Sequence, residues 1–136
     1  MLKGTITDCT NNGTITGTGE GIGGISGINQ STTVENETLI AVVIGSSNTA
    51  SAKVTGNLRA GGIVGLNSGV VQDCVNSATI EGKGNYTGGI VGLLDARGSH
   101  TVTNCWFDGT VTGTRWLGGI VGFAYTNSTT KYDYDA

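Results

Sequence analysis

The residues of this chain that could do covalent or metal chemistry are Cys9, Cys74 and Cys105, the lone histidine His100, and a thin scatter of acids that includes Asp8, Asp73 and Asp95. Zinc needs three or four convergent ligands. Widely spaced cysteines with one remote histidine do not supply them, and the sequence contains no HExxH. No metal ligand is assigned and no cofactor is implied. A Ser-His-Asp arrangement from Ser99, His100 and Asp95 would place nucleophile and base side by side in sequence, with no oxyanion device in view. The plain reading is a histidine in a loop. No catalytic residue is assigned, and the expectation is that the chain is not an enzyme.

An odd cysteine count leaves one thiol over if the other two bridge. What decides their role is the pattern that positions them. The pentapeptide GGIVG occurs at 61–65, 88–92 and 118–122, with GGISG at 23–27. Fourteen residues before the first glycine stand Cys9, Ser47 and Cys74, and thirteen before the last copy stands Cys105. Between these anchors lies a β-branched triplet closed by glycine: TITG at 14–17, KVTG at 53–56, TIEG at 79–82 and TVTG at 110–113. The large differences in length fall between one pentapeptide and the next cysteine position, as repeat proteins place insertions at one corner of the unit.

A unit with a Cys-bearing strand, a T-I/V-T strand and a GGIVG strand predicts an all-β fold, a parallel β-solenoid of three short strands per coil. Four coils fall at about 4–28, 29–67, 68–94 and 95–124 of a single repeat domain covering 1–136, with a tail at 125–136. Stacking at ~4.8 Å sets like residues above like. Ile25, Ile63, Ile90 and Ile120 then form one inward ladder, and Cys9, Ser47, Cys74 and Cys105 another. Side chains in a ladder point the same way, and a small buried Cys packs as an apolar residue. The thiols are therefore expected to stay reduced. The valine after each isoleucine is expected to alternate outward, and the paired glycines to turn a corner at positive φ. The residues before the cysteine position read Asp8, Ser46, Asp73 and Asn104, acid alternating with neutral, which suits a surface column better than a catalytic acid pair. A sandwich of hairpins is the other architecture in view, since turn signals occur at 11–13 (NNG) and 108–109 (DG).

Composition agrees with a ladder-rich fold. Glycine makes up 25 of 136 residues and proline is absent, where average usage would be roughly 5%. A fold that commits nearly every backbone N–H to a strand partner has little room for proline. The net charge is −3 with seven Lys and Arg in no stripe, so nucleic acid is not an expected partner. The longest apolar run, LIAVVI at 39–44, is too short to span a bilayer. The opening MLKGTITDC has no charged and apolar leader pattern.

A Cys or its substitute, then NxG-[IV]-x-G, then GGIVG-[LF]-N, resembles the GLUG motif. The likeness runs from about Gly4 to Phe123 and is best at 74–93 and 105–123. The copy lacking Cys, with the long insertion at 28–46, departs most. GLUG repeats occur in secreted and surface-anchored bacterial proteins, among them streptococcal IgA-specific metallopeptidases, whose zinc site lies outside the repeats, and adhesin-like proteins. The resemblance implies an extracellular or cell-surface repeat region and brings no catalytic residue with it.

Two functions follow as expectations. One is a structural or adhesive module whose corner insertions, at 28–46 and 93–103, carry any binding to a host or matrix glycan or protein. The other is a filament subunit stacking head to tail on further copies of itself, because the coils show no cap. Ice binding is a minor third: the triplets offer Thr14/Thr16, Lys53/Thr55, Thr79/Glu81 and Thr110/Thr112, a Thr array broken by charge in two coils. Trp106, Trp116, Tyr86 and Tyr125 are the aromatics able to line a contact. Asn12, Asn29, Asn36, Asn85 and Asn127 stand in sequons as candidate glycosylation acceptors; a chain this rich in Ser and Thr gives about half that number by chance, and the excess is too small to argue from.

Overall fold

Like residues stack on like through four coils, and every coil-to-coil strand pairing is parallel. The computed structural model describes residues 3–95 and 101–125. Within them the chain winds as a parallel β-solenoid with five sheets. Sheet I stacks Lys3–Thr7, Glu37–Ile44, Val70–Gln72 and Thr101–Thr103; sheet II stacks Thr10–Asn11, Ser47–Asn48, Val75–Asn76 and Trp106–Phe107. Sheet III holds the T-I/V-T strands Thr14–Thr16, Lys53–Gly56, Thr79–Gly82 and Thr110–Thr112. Sheet IV is Ile22–Gly23, Ala60–Gly61, Asn85–Gly88 and Arg115–Gly118, and sheet V is Ser26–Asn29, Val64–Asn67, Val91–Asp95 and Val121–Tyr125.

Each coil thus carries five strands where the sequence predicted three. Two of the predicted strands are bent. The Cys-bearing strand breaks between sheets I and II, and the GGIVG strand breaks at its glycines between sheets IV and V. The first break is a column of left-handed residues: Asp8 (φ 53°), Gly45 (φ 64°), Asp73 (φ 54°) and Asn104 (φ 52°). Asp, Asn and Gly are the residue types that enter this region at least cost.

The second break corrects the expected role of the paired glycines, because among the described glycines only Gly45 has a positive φ. The pentapeptide needs glycine for close approach instead. A Cβ on Gly61 or Gly88 would overlap the carbonyl oxygen of Val64 or Val91, three residues on within the same corner. A Cβ on Gly62 or Gly89 would strike the backbone carbonyl of Gly89 or Gly119 in the next coil. One glycine serves the bend and the other serves the stack. At Gly119, on the fourth coil, nothing lies within 4 Å of that Cβ position.

The bend also turns two consecutive side chains inward. Ile63 N and Val64 N both donate to Ile90 O (2.9 and 3.0 Å), and Ile90 N and Val91 N both donate to Ile120 O (3.0 and 2.9 Å). Ile63, Val64, Ile90 and Val91 are all fully buried. The expected outward valine is therefore wrong: strand alternation does not carry across a corner. Ile25 and Ile120 occupy the same column on the end coils and pack on this core. Val43, Val71, Cys74 and Leu94 complete the cluster, and a second one, Ala52, Val54, Ala78 and Ile80, lies under sheets II and III. Burying each large aliphatic stabilises the fold by roughly 1.5–3 kcal/mol. The insertion at 28–46 forms a hairpin: Thr32–Val34 runs antiparallel to the start of Glu37–Ile44, turning through Glu35 and Asn36 at positive φ.

Ile90→Ala should cost about 2–5 kcal/mol, and Val91→Thr should also destabilise, by about 1–3 kcal/mol, since it buries a hydroxyl in an apolar site. Val75→Thr, at a position 42% exposed, should stay within about 0.5 kcal/mol of wild type. Urea melts that leave Val91→Thr as stable as Val75→Thr would refute the double-inward corner. In the same assay Gly89→Ala should lose about 1–3 kcal/mol through overpacking, whereas Gly119→Ala should be tolerated. Equal losses at the two glycines would count against the inter-coil contact.

Candidate functional site

The thiols were the first candidates. The column they occupy is Cys9, Ser46, Cys74 and Cys105: Ser47 N donates to Cys9 O (2.9 Å) and Val75 N to Ser46 O (3.1 Å). Ser47, expected in this ladder, instead pairs with Thr10 and Val75 in the neighbouring column. The error has a physical source. Asn48 to Lys53 takes five residues against three from Asn11 to Thr14, while Gly56 to Gly61 takes five against six from Gly17 to Gly23. A turn lengthened by two and a turn shortened by one move the anchor by one. The same shift makes the preceding column Asp8, Gly45, Asp73, Asn104, with Gly45 where Ser46 was expected. Each residue of the thiol column turns back on its own strand. Cys9, Ser46, Cys74 and Cys105 donate to the carbonyls of Thr7 (3.4 Å), Ile44 (3.3 Å), Gln72 (3.2 Å) and Thr103 (3.3 Å).

All three cysteines are free, Cys9 exposed, Cys74 buried and Cys105 between the two. A hydrogen bond from Cys105 draws the Cys74 thiol down to about 7, against burial that pushes it up. The same contact with Cys74, followed by burial, pushes Cys105 far above the ordinary thiol range. Asp73, beside them, receives hydrogen bonds from Asn104 and from Gln72 (3.2 Å). Among the described residues no three His, Cys, Asp or Glu side chains converge as a metal site. His100, with Ser99, lies outside the described residues.

The sequence reading missed two buried asparagine ladders. Asn11 Nδ2 donates to Asn48 Oδ1 (3.2 Å), Asn48 Nδ2 to Asn76 Oδ1 (3.0 Å), and Asn76 Nδ2 to Gly89 O (2.6 Å). Asn48 and Asn76 also bond the corner backbone or the turn that follows. The fourth coil ends this ladder with Phe107, which faces Asn76. The second ladder explains the asparagine of GGIVG-[LF]-N. Asn29 Nδ2 reaches Asn67 Oδ1 (2.8 Å) and Val70 O (3.1 Å), and Asn67 bonds both the N–H and the C=O of Gly69 (3.1 Å each). These amides fasten each coil to the start of the next, and leaving one unpaired would cost about 1–3 kcal/mol. Asn29, 6% exposed and bonded, is closed to glycosylation in the folded chain. Asn12 and Asn36 are exposed and Asn85 is half-buried, while Asn127 lies outside the described residues.

Outward columns differ from coil to coil. On sheet III the Thr array is crossed by an ion triad: Lys53 Nζ lies 3.3 Å from a Glu81 oxygen and Lys83 contacts the other. Lys83 first, and then Lys53, hold the half-buried Glu81 carboxyl below its usual range. On sheet II the outward series is Thr10, Ser47, Val75 and Trp106, of which Ser47 is half-buried.

The richest surface lies outside the corner of sheets IV and V. Tyr86 and Trp116 share a column and stack, ring centroids 5.1 Å apart and planes 20° from parallel. Phe123, next to them on sheet V, sits 5.2 Å from Tyr86 and 5.7 Å from Trp116. Arg115 lies 5.1 Å over the Trp116 ring. Both Tyr86 (φ 61°) and Trp116 (φ 49°) are left-handed, a conformation that costs a bulky L-residue about 1–2 kcal/mol. Beside them is an open groove of about 280 Å³ walled by Arg59 and Tyr86 on one side and by Leu66, Leu93 and Phe123 on the other. Asp95 and Tyr125 line it too. Arg59 pairs with Glu20 (3.4 Å), and its Nε is buried with no hydrogen bond among the described residues. Trp116, Tyr86 and Tyr125, singled out as contact aromatics, thus gather here, whereas Trp106, 65% exposed, stands apart on sheet II. Arg59 and Phe123 were not anticipated, because neither a lone arginine in the turn before GGIVG nor the residue that follows the pentapeptide marks a site in sequence.

In comparisons with known proteins the chain matches no family model, no curated sequence and no solved structure. Among the described residues no helix is long and apolar enough to cross a membrane.

The thiols lend themselves to a direct test. Reductant should leave the melting temperature unchanged. A thiol reagent should label Cys9 within the folded state and Cys74 only on unfolding, with Cys105 between them. Rapid labelling of Cys74 in the native protein would contradict its place in the core.

Proposed function

We propose that this chain is a non-enzymatic structural or adhesive repeat module of an extracellular bacterial protein, as its resemblance to GLUG repeats suggests. One observation carries the reading: inward positions repeat from coil to coil while outward positions at the same register do not. Glycine corners, Ile, the Cys/Ser column and the Asn ladders hold the stack. The outward column through Gly21, Arg59, Tyr86 and Trp116, by contrast, passes from glycine to a cation and then to two aromatics. A rigid scaffold with a freely varied surface is how repeat proteins present binding faces. No metal, cofactor, nucleic acid or catalytic constellation enters the proposal.

A head-to-tail filament is the second reading, favoured by the strand edges of the end coils. Among the described residues, the first-coil and fourth-coil strands of all five sheets pair on one side only. The register of sheet I sets the junction: Thr5 would meet Thr101 and Ile6 would meet Val102 of another copy. Such a contact is heterologous and leaves the assembly open.

Sedimentation and electron microscopy at two concentrations separate the readings. A module should give the same monomer at both, and an antibody to it should label intact producing cells. Concentration-dependent fibres abolished by Ile6→Pro, which removes a ladder donor, would establish the filament instead. Label confined to the cell interior would sink both.

A further inference from the structure

We infer that the groove beside Tyr86 is a binding site for neutral glycans, taking one or two pyranose rings. The inference rests on reading the chain as an adhesive module and names what that module would hold. At about 280 Å³ the groove falls at the lower end of ligand sites, which run roughly 300–1,000 Å³. Its walls combine the three elements that pyranoses require. The Tyr86 and Phe123 rings in the wall offer apolar surface for the axial C–H face of a sugar, with Trp116 stacked against Tyr86 beside the groove. Arg59 supplies planar N–H donors, and Asp95 supplies carboxylate acceptors for hydroxyl pairs.

Charge narrows the class. Among the described residues the groove walls carry one cation, Arg59, paired with Glu20, and one anion, Asp95, which has a partner of its own. A neutral ligand fits that balance better than a uronic or sulfated one. A peptide added as a strand would take the open edge of Arg115–Gly118 and Val121–Tyr125 on the fourth coil and not the groove, whose third-coil strands have partners on both sides. A peptide strand needs a free edge.

Two aromatics held in left-handed backbone are the sign that the surface is kept for use. Glycine would relieve that strain, and the other members of the column, Gly21 and Arg59, do not share the left-handed backbone. Strain of this kind gathers at binding sites. Deleting the Tyr86 ring should therefore harm binding without harming the fold.

The test uses the full chain with Trp106→Phe, so that emission comes from Trp116. Cellotriose, maltotriose and N,N′,N″-triacetylchitotriose are titrated by fluorescence and by saturation-transfer NMR. At least one should bind saturably, with Kd on the order of 1 mM. Tyr86→Gly should melt at or above the parent and bind at least tenfold more weakly. Thr112→Ala, on sheet III, should bind as the parent does. The proposal is overturned if no trisaccharide saturates, if Tyr86→Gly binds normally, or if trigalacturonate binds in place of the neutral sugars. Sugar binding by a chain that forms fibres would leave the site standing and remove the module reading. A monomer blind to all three sugars would do the reverse.

Discussion

Backbone-to-backbone approach between successive coils is the constraint on which the rest of this structure depends. The coils pair through parallel hydrogen bonds at ~4.8 Å, and at the corner of sheets IV and V the main chains come closer than a Cβ permits. Gly62 and Gly89 lie against carbonyls of the coil above, and Gly61 and Gly88 against carbonyls of their own corner. Once these contacts are set, register along the whole coil is set with them. Ile63 must lie under Ile90, Asn48 beside Asn76, and Ser46 between Cys9 and Cys74. A slip of one residue would put a side chain where only hydrogen fits.

Register in turn divides the molecule into an inside that must repeat and an outside that need not. Apolar columns supply most of the burial. The amide ladders supply what an apolar core cannot, directional partners at the corners, such as Asn76 for Gly89 O. They end where a coil substitutes an apolar residue, Phe107 in one ladder and Leu94 in the other. The thiol column belongs to this inside. Its members bond their own strand, and serine serves there as well as cysteine, which is why its chemistry is packing and capping.

The outside follows other rules. Charge crosses sheet III through Lys53, Glu81 and Lys83, and aromatic rings collect beside sheet IV. The groove there depends on the scaffold twice. The stack brings Arg59, Tyr86 and Trp116 into one column, and the glycine corner sets that column next to Leu66, Leu93 and Phe123. The strained backbone of Tyr86 and Trp116 is sustained by the rigidity of the coils beneath, a small local cost set against a deeply cooperative fold.

Stacking forces like onto like, so the repeats, the parallel solenoid, the four coils and the isoleucine column could be read directly from the recurring GGIVG. The cysteine-to-glycine count misplaced Ser47 because two turns of opposite length change nearly cancel, and hydrogen bonds alone reveal which serine lies in the column. A better signal was present: an asparagine follows two residues after Cys9, Ser46 and Cys74. The inward Val64 and Val91, the split of three strands into five, and the role of the paired glycines as contacts belonged to the tertiary structure. Each depends on a corner, where the period of a strand no longer says which way a side chain points. The groove was likewise beyond the sequence, since its walls come from three coils and become neighbours only when the chain has wound past itself.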